Sequence, residues 1–311
     1  MSWLSVGLTA YLILAIVNLL DKFLVDRVLP SSKSYAFVAC ILGLSLFVLA
    51  PWFLVWPGWI LFAFNLLNGA IFAIALWSLY EALRRGEAAR ILVLVGGLTP
   101  VFSLIFSLLF FKEQFSRGQW SGILAILIGV FIIAFLPQHR SYLSRVLRKL
   151  KFSPSFGSGG MVIAVVSALA YSLYFLGTKQ SYIGQPFLSA FIWTRLGAAI
   201  FVLLFLIKTD NRKEIRSIFS PTRSSKNKFL VLLSQSLGSL GFILQNYAIF
   251  LGSVVLVNAL QGTQYAFILI LSTILAVLAP KLLKETFSWN IMLRKGVAIF
   301  IIALGLYLIA F

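Results

Sequence analysis

Catalytic raw material is scarce in this chain. It holds one cysteine, Cys40, and one histidine, His139, so no intrachain disulfide can form and no Cys/His cluster points to a metal. His139 sits in a basic link and Cys40 inside an apolar run. A membrane-embedded hydrolase needs a Ser–His pair, paired acids or metal ligands at depth, and none of these is available. A Walker-type phosphate loop is also missing, which excludes an ATPase engine of the chain's own.

Acids are the second shortage. Eight Asp and Glu stand against 26 Lys and Arg, a formal net charge of +18. All eight, Asp21, Asp26, Glu81, Glu87, Glu113, Asp210, Glu214 and Glu285, fall at the ends of apolar runs or in links. A proton-coupled carrier usually keeps a carboxylate in the low-dielectric interior, where burial moves its titration toward working pH. Glu81, one turn inside the basic end of its run, is the candidate for coupling, although Arg84 three residues on favours its ionised form. Facilitated exchange, or a coupling ion held by amides and backbone carbonyls, stands beside that reading.

Apolar residues are what the chain has in excess. They make up 61% of 311 residues, with 11% charged and a mean hydropathy of +1.01, far more than one water-soluble core could hide. The composition therefore predicts an all-α, polytopic membrane protein. On a soluble protein a charge of +18 would suggest nucleic acid. Here the basic residues lie in links between apolar runs, where they act as topology signals and meet anionic headgroups, so lipids and not nucleic acid are the expected partners. The first apolar run lacks a basic start and is about as long as a bilayer span, which predicts a retained helix.

Apolar windows of about 20 residues mark ten spans, near 4–24, 35–55, 59–81, 88–111, 119–137, 158–178, 186–207, 228–250, 254–279 and 290–311. A basic stretch with Pro154 at 138–157 divides the chain into units 1–137 and 158–311. The two units share a pattern. At a separation of 166 positions Ala82 meets Ala248, Gly86 meets Gly252 and Gly96 meets Gly262. After a six-residue shift, Lys112-Glu113 and Phe115-Ser116 meet Lys284-Glu285 and Phe287-Ser288.

Five spans per unit is an odd number, so the second unit is expected upside down relative to the first, as two inverted five-helix repeats. Charge placement agrees. Of the 26 basic residues, 22 lie in one set of alternating links; Lys112, Arg117 and Lys179 lie on the other side, and Arg195 is embedded. Cytoplasmic links retain Lys and Arg, so the rich side is expected in the cytoplasm of a cell membrane and both termini outside.

These residues resemble the drug/metabolite transporter superfamily, in particular its EamA-like ten-helix members. The resemblance rests on Tyr80-Glu81-Ala82-Leu83, on Thr99-Pro100-Val101-Phe102, on Glu113, and on Gly122 with Gly129, with a weaker copy over Asn246 to Gly305. The second copy has Ala266 where the first has Pro100, which leaves its helix break open. The resemblance implies a central cavity between the repeats, lined by spans one, three, four, six, eight and nine. Physics points to a similar place, because polar groups at membrane depth must face protein or water.

The polar inventory of those spans supplies the candidate substrate-binding residues: Asn18, Asn68, Tyr174, Gln245, Asn246, Asn258, Gln261 and Tyr265. Asn258, Gln261 and Tyr265, three and four positions apart, would share one face of a continuous helix. Trp77, Tyr80, Trp193 and Phe102 could build an aromatic wall for an apolar or cationic ligand. The bland alternative for each amide is a hydrogen bond between helices, worth about 1 kcal/mol, and for each ring plain packing.

Arg195 lies nine residues past Pro186, about 13 Å along its helix. That is near mid-membrane. It would either capture an anionic group of a substrate, act as a gate, or bond the carbonyls of neighbouring helices. Gly96, Gly97, Pro100 and Gly262 would let spans four and nine approach closely or bend.

The expected function is a secondary transporter for a small metabolite, amino acid or amphipathic compound, working by alternating access around a midplane site, without cofactor or metal. A coupling ion stays open. A flippase for polyprenyl or phospholipid heads is the alternative; a polytopic enzyme or a non-transporting receptor has less in the sequence to support it.

Overall fold

In lipid a backbone finds hydrogen-bond partners only in itself, so membrane-length apolar runs become helices. The computed structural model describes residues 2–28, 31–85, 88–134, 158–218, 225–278 and 289–310. Helices α1 (Trp3–Val28) and α2 (Ser32–Leu42) come first, and α2 runs through a 3-10 stretch at Gly43–Leu49 into the short α3 (Ala50–Phe53). Then follow α4 (Trp59–Arg85), α5 (Ala88–Phe106) with a π turn at Ser107–Phe111, and α6 (Arg117–Ala134). The later part holds α7 (Ser158–Gly184), α8 (Phe187–Leu203), α9 (Thr209–Ile218), α10 (Ser225–Leu251), α11 (Val254–Ala259), α12 (Gln261–Leu278) and α13 (Trp289–Ala310). No strand occurs among the described residues. The expected 138–157 link and the Lys284 to Ser288 motif lie outside them.

Among the described residues, six helical stretches are long and apolar enough to cross a membrane: Trp3–Leu20, Ser32–Phe53, Trp59–Arg85, Leu94–Phe111, Gly159–Gly184 and Phe187–Ile207. Shorter apolar helices cover Arg117–Ile132, Val254–Ile268 and Gly296–Ile309. Val48, Ile60, Ile128, Phe131, Phe300 and Tyr307 are each more than half exposed. Acyl chains solvate such a surface and water does not. The chain is a multi-pass membrane protein.

Helix α4 lies along α7 and α8, α1 along α10 and α12, α5 against α7, and α6 along α13. Small residues make the closest of these crossings. A Cβ on Gly69 would collide with the Thr194 carbonyl, and one on Gly197 with the Leu66 carbonyl, so α4 and α8 cross backbone to backbone. Ser189 secures the same pair from the α3–α4 link, accepting from the Val55 N–H at 3.1 Å and donating to the Val55 carbonyl at 3.0 Å. Arg195, on another face of α8 from Gly197, meets α4 through its guanidinium, 4.1 Å from the ring centre of Phe72.

One expected helix is broken. The window at 254–279 turns at Leu260, because the Thr263 N–H and hydroxyl both bond the Leu260 carbonyl, at 2.8 and 2.6 Å. Bonds spanning three residues tighten the chain and stop the four-residue ladder. Pro100, in contrast, stays inside a helix that continues to Phe106.

Candidate functional site

Arg195 stands at the middle of α8 and is 5% exposed. A guanidinium at the bilayer centre costs about 2.5–3.5 kcal/mol on insertion scales, so its surroundings have to compensate it. Its Nη2 donates to the Tyr174 hydroxyl of α7 at 2.8 Å. Tyr174 donates onward to Asn246 Oδ1 of α10 at 3.0 Å, and Tyr182 reaches the same oxygen at 3.5 Å. Asn246 Nδ2 is spent on the Phe242 carbonyl one turn back.

Rings enclose the charge. The guanidinium carbon lies 4.1 Å from the ring centre of Phe72, 4.5 Å from Phe191, 4.9 Å from Phe242 and 5.8 Å from Tyr174. Its stem rests on Gly43, where a Cβ would stand 3.1 Å from Arg195 Cδ. The shell thus draws on the 3-10 stretch after α2 and on α4 from the N-terminal half of the chain, and on α7, α8 and α10 from the C-terminal half. It holds no counter-ion among the described residues; the Arg85–Glu81 ion pair lies away from it, at the end of α4. Arg195 Nε is buried and bonds nothing.

The other candidates fall into smaller groups. Asn258 Nδ2 donates to Ser103 Oγ of α5 at 2.8 Å, Ser103 donates to Ser172 of α7 at 3.2 Å, and Asn258 Oδ1 is buried without a partner. Gln245 Nε2 donates to the Tyr11 hydroxyl at 3.1 Å, which donates to the Val257 carbonyl at 2.9 Å. Tyr265 donates to the Leu92 carbonyl at 2.6 Å, and Gln261 is half-buried at the start of α12. The turn at Leu260 lies between Asn258 and the other two, so the three do not share a continuous helix. None of the three is exposed toward lipid.

Asn68 bonds Thr178 Oγ1 at 2.9 Å and presses on Gly177. Asn18 is half-buried on α1. Trp77 packs on Phe205 at 5.3 Å with the Lys33 ammonium 5.7 Å from its ring centre, and Tyr80 meets Tyr35 edge-on at 4.1 Å. Gly96 abuts the Tyr265 ring and Gly262 the Ile126 side chain, whereas Gly97 has only Val130 near it, at 3.6 Å. These glycines are closely packed, Gly97 least.

Both ends beyond the Arg195 shell are tied. At one, Lys179 Nζ donates to the carbonyls of Ile249, Phe250 and Gly252 at 3.0, 3.3 and 2.7 Å, and Ser253 donates to Glu113 at 2.8 Å. At the other, Ser32 donates to Glu81 Oε2 at 2.5 Å, Arg85 holds Oε1 at 2.6 Å, and Gln235 bonds the Tyr35 hydroxyl. Glu81 therefore joins α2 to the end of α4.

Phe72, Phe191 and Phe242 were not singled out by sequence reasoning. Among 29 phenylalanines they carry no composition signal. Spacing does mark two of them, since Phe191 precedes Arg195 and Phe242 precedes Asn246 by four residues, one helical turn.

Residues 1–135 match the EamA-like transporter family. A Bacillus subtilis (strain 168) protein described as "Uncharacterized transporter YdfC" is 31% identical over 111 residues, which span 34% of this chain and 30% of that protein. A protein of known crystal structure shares the fold at a TM-score of 0.65, with 17% identity over 98% of this chain and 95% of the other.

Proposed function

We propose, from the match of residues 1–135 to the EamA-like transporter family, that the whole chain is a secondary transporter for a small solute. Two inverted units of five spans, 1–137 and 158–311, enclose a site at mid-membrane and rock about it. The packing supports two related units, since α4 against α7 and α1 against α10 are the same pair with the units exchanged.

The observation that carries the reading is Arg195. A charge buried halfway along α8, in a shell built from both units, is costly for stability alone and sits where alternating access needs a binding group. The shell lies between the Lys179 tie and the Glu81 tie, so the conformation reads as occluded. Asn246 extends the polar contacts from Arg195 through Tyr174, while Asn258, Gln245, Asn68 and Tyr265 bond neighbouring helices together. Glu81, already bonded to Ser32 and Arg85, serves the closure of that end rather than proton coupling.

The test is solute counterflow in liposomes over a metabolite panel, with wild type, Gln261→Ala and Arg195→Ala. Flux in the wild type that falls in Arg195→Ala is the expected result. Absence of protein-dependent flux for every solute would refute transport, and equal flux in all three proteins would refute the placement of the site.

A further inference from the structure

We propose that the solute held at this site is an organic monoanion, a carboxylate on an apolar or aromatic body, and that Arg195 is its counter-charge. The inference rests on the transport reading for the carboxylate's role as cargo. The count of donors leads to it. A guanidinium has five N–H donors and no acceptor, and the protein takes up one of them, at Tyr174.

Nε is buried with no partner, which in a settled structural arginine would be an unrelieved cost. Tyr174, whose proton goes to Asn246, accepts from Nη2 alone, and the other N–H groups of the guanidinium find no acceptor among the described residues. Nothing negative stands nearby among the described groups. Glu81 is held by Ser32 and Arg85, and Glu113 by Ser253. The acceptors that the guanidinium lacks are those a carboxylate brings, two oxygens in the plane of the fork.

Charge and shape narrow the class further. The shell contains one cation, and Lys179 is spent on three carbonyls, so one negative charge is matched and a dianion is not. Phe72, Phe191 and Phe242 surround the guanidinium, and an anion docking there meets ring surface on its far side. That suits an apolar body better than a small hydrated ion. Binding requires the shell to part, and the Tyr174 hydroxyl can turn from Arg195 to the incoming carboxylate as it does.

Thermal unfolding of the purified full chain in detergent tests this, with sodium benzoate and sodium phenylacetate, their neutral amides benzamide and phenylacetamide, and sodium chloride at equal concentration. The carboxylates are expected to stabilise the wild type, and the amides and chloride to have little effect. Arg195→Met is expected to weaken carboxylate binding about 10- to 100-fold, the range for losing a charged hydrogen-bond partner, and Arg195→Lys to retain part of it.

No stabilisation by either carboxylate, equal stabilisation by amides or chloride, or undiminished carboxylate binding in a monodisperse Arg195→Met protein would each overturn the proposal. The transport reading fails separately. Protein that moves neutral or cationic solutes but binds no carboxylate refutes the anion and leaves transport standing. Protein that binds carboxylates through Arg195 and moves none supports the anion site and refutes transport.

Discussion

Gly96 and Tyr265 occupy adjoining space so tightly that a Cβ on Gly96 would overlap the Tyr265 phenol, whose hydroxyl bonds the Leu92 carbonyl one turn earlier on α5. The pair joins spans four and nine, one from each proposed repeat. Gly97, its neighbour in sequence, faces Val130 at an ordinary 3.6 Å. Gly96→Ala is therefore expected to cost about 1–3 kcal/mol, the usual range for overpacking, and Gly97→Ala close to nothing. Thermal unfolding of the two variants side by side decides it; equal losses would mean that the two glycines serve one common bend.

Lys179 presents a second contrast. Its ammonium closes the C-terminal end of α10 through three carbonyls, groups that a helix end otherwise leaves unbonded. Lys179→Met keeps the length of the stem and removes the donors, and should lower stability by about 1–3 kcal/mol. Lys179→Arg should recover part of it. A Met variant as stable as wild type would show that solvent replaces the cap without cost.

Helix positions were legible because each apolar run is bounded by charge, Gly or Pro, and a backbone in lipid has few alternatives to helix. The turn at Leu260 was not, since it depends on Thr263 choosing the Leu260 carbonyl, a local competition that hydropathy does not register. At the site, the depth of Arg195 followed from counting residues after Pro186. Its partner did not: Tyr174 lies 21 positions earlier on another helix, and Asn246 lies 72 beyond Tyr174. Periodicity shows which residues share a face of one helix, and it carries no information on which faces of different helices meet.

Orientation can be read from α9, whose Arg212, Lys213, Glu214 and Arg216 are exposed. The excess of Lys and Arg in this set of links predicts that it faces the cytoplasm. Because Cys40 is buried, background labelling is low, and a cysteine introduced at Lys213 reports directly. A membrane-impermeant maleimide should label it in inverted vesicles and not in intact cells. Labelling of intact cells would reverse the topology, with the termini inside.

Arg195 itself offers a test of sign. If the guanidinium is a structural tie, its removal should destabilise, because the Tyr174 bond and several ring contacts go with it, each ring worth about 0.5–2 kcal/mol. If it is held ready for an anion, the ligand-free protein carries a charge whose burial is incompletely repaid, and replacing such a group by an apolar one of similar volume is often neutral or stabilising by about 1–4 kcal/mol. Methionine suits the comparison, since its unbranched thioether fills the same slot and packs well on aromatic rings. With one protein hydrogen bond, an unbonded Nε and no carboxylate in the shell, the desolvation cost outweighs the contacts. Ligand-free Arg195→Met is thus expected to unfold at the wild-type temperature or above it, and a clear drop would assign the residue to the scaffold.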